Sequence, residues 1–189
     1  MLAEVAKQKG VSLCGMQRDQ TTADFSLQGL KPPDAILLAS DLSQAGVTGG
    51  LTKMSLAKNK LEEKGTKAIC KALEQNQTLK ELDISGGDLR GSNIGGSAGA
   101  KHVAKMLGVN GSLTSLDLSN NQLCGVTSWG SGTYTTEGIT AIADALRVNG
   151  SLTALNLSSN ELKDEGVSAV CEAIQSNKET RSRVAQLLK

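Results

Sequence analysis

The residues best suited to acid–base or nucleophilic chemistry in this chain are one histidine and four cysteines. Catalysis by such groups requires a nucleophile, a base and an orienting group that converge. His102 is the single histidine, and no serine or cysteine is placed by a motif to use it. It falls where other copies of a repeated helix, described below, have alanine, so we interpret it as a helix-surface substitution. The sequence therefore predicts no catalytic residues and no enzyme.

The four cysteines lack the spacing of a metal site or of a disulfide framework. Cys14 and Cys124 have no CxxC partner and no nearby histidine, and zinc-ligand spacing is absent. Cys70 and Cys171 hold the same position in two copies of the repeated helix, where two other copies have alanine. We expect reduced thiols that act as small apolar side chains in an intracellular protein. No phosphate-binding glycine motif follows a strand either, so neither a metal nor a cofactor is predicted.

An apolar pattern of the form L-x-x-L-x-L-x-x-N-x-L recurs along the chain and organises everything else in it. The L-x-L part alternates in the manner of a short strand with one buried face. The four copies begin at Leu51, Leu79, Leu113 and Leu152.

Each strand pattern is followed by a helical pattern. The helical segments align without gaps on four glycines, and apolar residues recur four and eight positions after each glycine, which is helical spacing. An asparagine closes each helix, and we expect it there because asparagine tolerates the left-handed geometry of a helix C-terminus. The glycines are Gly65, Gly99, Gly138 and Gly166, and the asparagines are Asn76, Asn110, Asn149 and Asn177.

These motifs resemble those of leucine-rich repeat proteins of the ribonuclease-inhibitor-like subfamily. The resemblance implies an α/β solenoid, a curved right-handed β-α superhelix with a parallel sheet on the concave face and helices on the convex face. It also implies that Asn59, Asn121 and Asn160 bond turn backbone between neighbouring units. Gly87 replaces the asparagine in the second unit, so we expect this row to be interrupted there.

The chain is predicted to be one domain, because a repeat unit cannot bury its apolar face alone and must stack on its neighbours. Residues 1–50 are expected to form an N-terminal cap and a degenerate repeat, and residues 51–178 to form four repeats. Residues 179–189 depart from the repeat pattern and are interpreted as a C-terminal cap or as the start of a truncated repeat.

Two insertions, at 88–100 and 124–136, lengthen the second and third repeats between strand and helix. Insertions in a solenoid map to loops along one edge, often the binding edge. The second holds the only tryptophan and tyrosine, Trp129 and Tyr134, and the first holds Arg90. These residue types are enriched at binding hot spots. The loops are therefore candidates for a partner-binding ridge, with the alternative that the rings only cover the loop's own apolar edge.

The outward positions of the predicted strands form a second candidate surface. Lys53, Glu81, Asp83 and Asp117 lie at such positions, and Asp83 should lie beside Asp117 because neighbouring strands are about 4.8 Å apart. Adjacent carboxylates can attract a cation or a basic partner. The alternative is that the repeat motif simply has polar residues at these positions, without a binding role.

Composition excludes several classes of partner. The net charge is +1, which gives no overall field for nucleic acid or an anionic membrane. No stretch approaches the ~20 apolar residues of a membrane span, and the first residues do not form a secretory signal. Four N-x-S/T strings, three of them at the same turn of the repeat, are expected to be unmodified.

We therefore expect a cytoplasmic, monomeric, non-catalytic module that binds a protein partner. The family includes enzyme inhibitors, sensing ends of innate-immune receptors, actin-regulator domains and GTPase-activating proteins, so the resemblance implies binding and leaves the partner open. Two alternatives are a GTPase-activating regulator that uses Arg90, and a structural fragment of a longer repeat array.

Overall fold

The computed structural model describes Val5 and residues 8–87, 91–127 and 129–177. Five strands and six helices have both ends within these ranges. The strands are β1 (Thr22–Asp24), β2 (Lys53–Ser55), β3 (Glu81–Asp83), β4 (Ser115–Asp117) and β5 (Ala154–Asn156), and the helices are α1 (Pro32–Leu42), α2 (Ala45–Thr48), α3 (Glu62–Leu73), α4 (Gly96–Leu107), α5 (Glu137–Val148) and α6 (Lys163–Ser176).

The strands form one open parallel sheet in the order β1-β2-β3-β4-β5. Their middle residues pair across the sheet in one continuous row, which is Ala23, Met54, Leu82, Leu116 and Leu155. The first four are buried, because every second residue of a strand faces the core. The predicted alternation of strands and helices in an α/β solenoid is thereby confirmed.

The helices pack as a second layer, each against the helix of the next unit. The apolar residues four and eight positions after the aligned glycines are buried in α3, α4 and α5. They are Ile69 and Leu73, Val103 and Leu107, and Ile142 and Leu146. One continuous core therefore runs between sheet and helices, and no single unit could form it alone.

A row of buried asparagines joins the turns that follow the strands, as the resemblance implied. The Asn59 amide donates to the carbonyl of Phe25 in the preceding unit at 2.8 Å, and its Oδ1 accepts the Leu30 amide at 2.9 Å. Asn121 and Asn160 make the same kind of bond to the preceding unit. These side chains satisfy buried turn backbone that lacks a sheet partner.

The predicted interruption of this row at Gly87 is wrong, because Asn93 fills the empty position. The Asn93 amide donates to the Leu56 carbonyl at 2.9 Å, and its Oδ1 accepts the Leu61 amide at 3.3 Å. The first insertion lies before the asparagine rather than after it. The repeat therefore keeps these hydrogen bonds despite the extra residues.

The asparagines that close the helices form a second row, for a reason different from the predicted one. Asn149 and Asn177 have extended backbone rather than left-handed geometry. The Asn110 amide donates to the Leu73 carbonyl of the preceding helix at 2.7 Å, and Asn149 bonds the Leu107 carbonyl at 2.8 Å in the same way. Asparagine is therefore needed here for its side chain, which ties the end of one helix to the next unit.

The N-terminal end of the core is closed by the segment before β1. The buried carboxylate of Asp41 in α1 accepts the Ser12 hydroxyl at 2.7 Å and the Leu13 and Cys14 amides at 3.0 and 2.9 Å. Met16 lies buried against the first layer. Among the described residues, no helix has the length and apolar character that a membrane crossing requires.

Candidate protein-interaction surface

The described parts of both insertions follow β3 and β4 in the chain, at the edge of the sheet where these strands end. Helix α4 begins at Gly96, so the last residues of the predicted insertion 88–100 belong to that helix. The insertion 124–136 lies wholly before α5, which begins at Glu137. Arg90, the candidate residue of the first insertion, lies outside the described residues. Its role at a nucleotide in a GTPase-activating regulator therefore stays a prediction.

The second insertion folds as a small hairpin, which we call the 124–136 hairpin. Val126 pairs with Gly132 in an antiparallel bridge, and the Thr127 amide donates to the Ser131 carbonyl at 2.9 Å. Its two arms approach so closely that a Cβ on Gly132 would lie 2.2 Å from the Gly125 carbonyl oxygen. Gly132 also has a φ of 112°, which side chains rarely adopt. The local glycine content therefore gives a defined hairpin rather than an open loop.

Trp129 lies at the tip of this hairpin and is 71 % exposed. Its neighbour Gly130 turns the chain with a φ of 76° and donates its amide to the Thr127 carbonyl at 2.9 Å. The alternative that this ring covers the loop's own apolar edge does not fit such exposure. A large, rigid ring held in water at a constrained tip is available to a partner.

Tyr134 has a different environment from Trp129. Its hydroxyl donates to the Leu162 carbonyl of the next unit at 2.8 Å, and the Lys163 ammonium lies 4.1 Å from the ring centroid. Desolvation, followed by nearby charge that includes Glu165, raises the pKa of the Tyr134 phenol, so the hydroxyl stays protonated and donates. Tyr134 thus fastens the hairpin base to α6. Nothing local in the sequence signals this contact, because the partner lies one repeat away.

The two insertions meet between the turns that follow the strands. Gly91 of the first insertion and Val126 and Thr127 of the second line one recess of about 20 Å³, with Gln122 and Ser159 beside them. A recess of this size holds little more than one water molecule. The described parts of the two insertions therefore adjoin one another around this recess, and we call this surface the ridge.

The outward face of the strands carries the other predicted residues, in the predicted register. Lys53 pairs with Glu81 across β2 and β3, with 2.9 Å between Nζ and Oε2. Asp83 pairs with Asp117 across β3 and β4, which confirms that the two carboxylates lie side by side. Both members of the ion pair are exposed, and such pairs contribute little to stability.

The two aspartates of this face already have protein partners. Asp83 Oδ1 accepts the Ser85 amide at 3.0 Å, and Asp117 Oδ1 accepts the Ser119 amide at 2.8 Å. The Asn156 amide donates to Asp117 Oδ2 at 2.8 Å. These bonds end the strands in short turns, so the aspartates have a structural role in the repeat. No cluster of three or more metal-ligating groups occurs in the part of the chain that the structure describes.

The remaining candidate groups for chemistry lie apart from one another. His102 is on α4 and approaches Glu63 of α3, with 3.4 Å between Nε2 and Oε1. None of the four cysteines is disulfide-bonded, and burial raises the pKa of the Cys70 thiol to about 12. Cys171 is exposed on α6. The histidine thus serves as a contact between neighbouring helices.

Comparison with known families identifies the repeats. Models described as "Leucine Rich repeat" and "Leucine Rich Repeat" match residues 75–100 and 148–171, and residues 112–132, respectively. The chain therefore carries leucine-rich repeats. Neither description names a subfamily, so the ribonuclease-inhibitor-like assignment stays a prediction. No curated protein sequence matches the chain.

Two solved structures share the fold over nearly their whole length. The tropomodulin C-terminal domain of Caenorhabditis elegans has 15 % identity and a TM-score of 0.61, with 100 % of this chain and 98 % of that one covered. The structure named leiomodin-1 actin-binding site 2 has 16 % identity and a TM-score of 0.65, with 98 % and 92 % covered. At this identity the likeness is one of fold.

Proposed function

We propose that this chain, which is a leucine-rich repeat protein, is a non-catalytic interaction module that binds a protein partner through the ridge of its two insertions. The observation that supports the proposal most strongly is the exposure of Trp129. This residue is 71 % exposed at the tip of the 124–136 hairpin. A monomeric protein gains nothing in its own core from a ring in that position. Tryptophan is among the residues most enriched at binding hot spots.

The way in which the hairpin is fastened favours binding. A loop that must be ordered on association loses free energy, whereas a preorganised one does not. The bond from Tyr134 to the Leu162 carbonyl and the close approach of Gly132 to Gly125 fix the hairpin base before any partner arrives. In this proposal Trp129 is the contact residue and Tyr134 positions the hairpin, while Arg90 is a further candidate contact residue that lies outside the described residues.

The outward strand face supplies the polar rim of the proposed surface. Lys53 and Glu81 are exposed there as a charged pair, and Asp83 and Asp117 lie beside them. Charges at the rim affect the rate and specificity of association more than its strength. The proposed partner is a protein, because the recess between the described parts of the insertions, about 20 Å³, is too small for an organic ligand. The structure named leiomodin-1 actin-binding site 2 makes actin the first protein to test.

The proposal is tested by comparing Trp129→Ala with Val148→Ala. Val148 is also 71 % exposed, but it lies at the C-terminal end of α5, away from the ridge. Wild type and both variants are used as baits in cell extract and in sedimentation with purified actin filaments. We expect Trp129→Ala to weaken binding of the captured protein by about 2 kcal/mol, or roughly 30-fold, as hot-spot truncations do.

Three results would change the proposal. Equal loss with Val148→Ala would indicate a general effect on the fold. Retention by Trp129→Ala together with loss by Glu81→Lys would move the contact to the strand face. Failure of actin with capture of another protein would keep the ridge and exclude this partner, whereas no capture by any bait would contradict the proposal.

A further inference from the structure

Ion pairs cross the outer surface between most neighbouring helices of the repeat. Each later pair of helices, α3 with α4, α4 with α5, and α5 with α6, has such a crossing. Among the described residues, the contact between α1 and α3 has none. The crossing pairs and their N–O distances are Lys105 with Glu74 (3.6 Å), Lys101 with Glu137 (2.6 Å) and Arg147 with Glu172 (3.9 Å).

The register of the repeat explains why the first of these pairs has no equivalent between α1 and α3. Lys71 occupies in α3 the position that Lys105 occupies in α4, two residues before the last buried leucine of the helix. Glu74, the partner of Lys105, has Ser43 as its counterpart in the preceding unit. Lys71 is therefore placed for an ion pair whose carboxylate this chain does not supply.

The second pair is lost in the same way. Lys64 of α3 has the position of Glu137 in α5, and Ile36 of α1 has the position of Lys101 in α4. Two positions that attract each other in α4 and α5 thus hold a lysine and an isoleucine here. Ile36 is 52 % exposed, although this position is polar in the next three repeat helices, which have Lys67, Lys101 and Thr140.

The space that these substitutions leave is an open groove of about 720 Å³, which we call the α1–α3 groove. In the next contact, between α3 and α4, the larger side chains of His102 and Met106 stand where this groove has Ala68 and Ala72. Small side chains thus leave the first groove unfilled. Its lining includes Ile36, Ala39 and Ser43 from the side of α1, and Ala68, Lys71 and Ala72 from α3.

We propose that the α1–α3 groove binds an amphipathic helix of a partner protein that carries two carboxylates about two turns apart. Lys64 and Lys71 are seven residues apart on α3, or about 10.5 Å at 1.5 Å per residue. A helix lying along the groove places side chains at the same spacing, with its apolar residues between them over Ile36 and Ala68. The groove shares no residue with the ridge, so this proposal does not depend on the proposed function.

Charge favours an acidic helix over a second copy of this chain. Lys64, Lys67 and Lys71 lie at positions i, i+3 and i+7 on one face of α3, and none has an ion pair among the described residues. Glu74, which follows this row, already pairs with Lys105. Two copies that met through α3 would bring lysines together, whereas a partner's carboxylates would replace those that α1 lacks.

Fluorescence anisotropy with a fluorescein-labelled helical peptide tests the proposal on the full chain. The peptide is built of alanine and glutamine, with two glutamates seven positions apart and leucines three and four positions after the first glutamate. A second peptide has lysine in place of both glutamates. Wild type is compared with Lys64→Glu/Lys71→Glu and with the control Lys58→Glu/Lys80→Glu, which makes the same charge change at exposed positions beside the strands.

We expect the acidic peptide to bind wild type and the control, and to bind Lys64→Glu/Lys71→Glu at least about tenfold more weakly, because two attractions become repulsions. That variant should bind the basic peptide instead, since reversal of both partners restores the charge match. Ser43→Glu is a second variant that leaves α3 unchanged. It gives Lys71 the carboxylate that Glu74 gives Lys105, and it should also weaken binding of the acidic peptide.

Several results would overturn the proposal. They are failure of the acidic peptide to bind wild type at about 1 mM, equal loss in the control, and equal binding of both peptides by wild type. Loss of binding in Trp129→Ala would move the peptide to the ridge. Binding of wild type to phosphatidylserine vesicles without binding of the peptide would assign the lysine row to a membrane surface.

Discussion

Single residues in this fold differ mainly in whether they pack between stacked repeats or project from the surface of the solenoid. Leu116 is buried in the middle of the strand row, and Asn93 is buried among the turns. Trp129 projects from a hairpin tip, and Tyr134 lies at the base of the same hairpin. Two aromatic residues of the same hairpin thus have different roles, and mutating each of them should have different effects on stability and binding.

Leu116→Ala is expected to lower the free energy of unfolding by about 2–5 kcal/mol, because it leaves a cavity between buried neighbours. Trp129→Ala should change it by less than about 0.5 kcal/mol, because the ring is exposed. Chemical denaturation of the two variants beside wild type measures both. The reverse order would contradict the register of the strand and the placement of Trp129.

Asn93→Ala should cost about 1–3 kcal/mol, the usual penalty for leaving buried backbone groups without partners. It removes the bonds to the Leu56 carbonyl and the Leu61 amide, and thereby two links between neighbouring units. Asn156→Ala is the matched control, because its bonds to Asp117 and Ser158 lie at the exposed face. Similar urea midpoints for the two variants would contradict the structural role assigned to Asn93.

At the scale of elements, the shape of the 124–136 hairpin depends on glycine contacts and on a bond to the next unit. Its arms touch at Gly125 and Gly132, and Tyr134 holds it against the start of α6. The strands and helices of the repeat, by contrast, are short and depend on the layers beside them. The hairpin can therefore be disturbed without unfolding the solenoid.

Gly132→Ala should distort the hairpin, because its Cβ would lie 2.2 Å from the Gly125 carbonyl oxygen at a φ of 112°. Strain of this kind costs of order 1–3 kcal/mol. Gly111→Ala is the control, since no atom lies within 4 Å of its Cβ and its φ is not positive. Trp129 is the only tryptophan, so fluorescence anisotropy reports on the hairpin directly. We expect lower anisotropy for Gly132→Ala alone, and unchanged anisotropy would contradict the rigid hairpin.

At the scale of the whole molecule, stability comes from nearest-neighbour stacking, as in other solenoids. Interior units are covered on both sides, whereas the end units have one neighbour each. The N-terminal end is closed by bonds to Asp41, and the described residues leave the C-terminal end open. The two ends should therefore differ in local stability.

Hydrogen exchange should show slowest exchange for amides in β2–β4 and α3–α5, where the core is covered on both sides. Amides of α6 should exchange faster than those of α5, because α6 has a helix neighbour on one side only among the described elements. Mass spectrometry of exchanged peptides measures this gradient. Equal protection of α5 and α6 would contradict this gradient and would indicate that the last described layer is covered as fully as the others.

The amino-acid sequence by itself determined the repeat, the positions of the full units' strands and helices, the register that places Asp83 beside Asp117, and the bonding role of Asn59, Asn121 and Asn160. These features are repeated at short range, and apolar spacing reports directly which face of each element is buried. Where the repeat is broken, that local signal ends. Gly87 looked like a gap in the asparagine row for this reason.

Only the tertiary structure decided which residue fills that gap, why asparagine closes the helices, and which loop aromatic is exposed. Asn93 bonds to Leu56, Asn149 bonds to Leu107, and Tyr134 bonds to Leu162, each across more than twenty residues of chain. Contacts between neighbouring units are set by the stacking of whole layers, and no periodicity within one unit records them. The exposure of Trp129 follows from the same cause, since exposure depends on what the neighbouring unit does or does not cover.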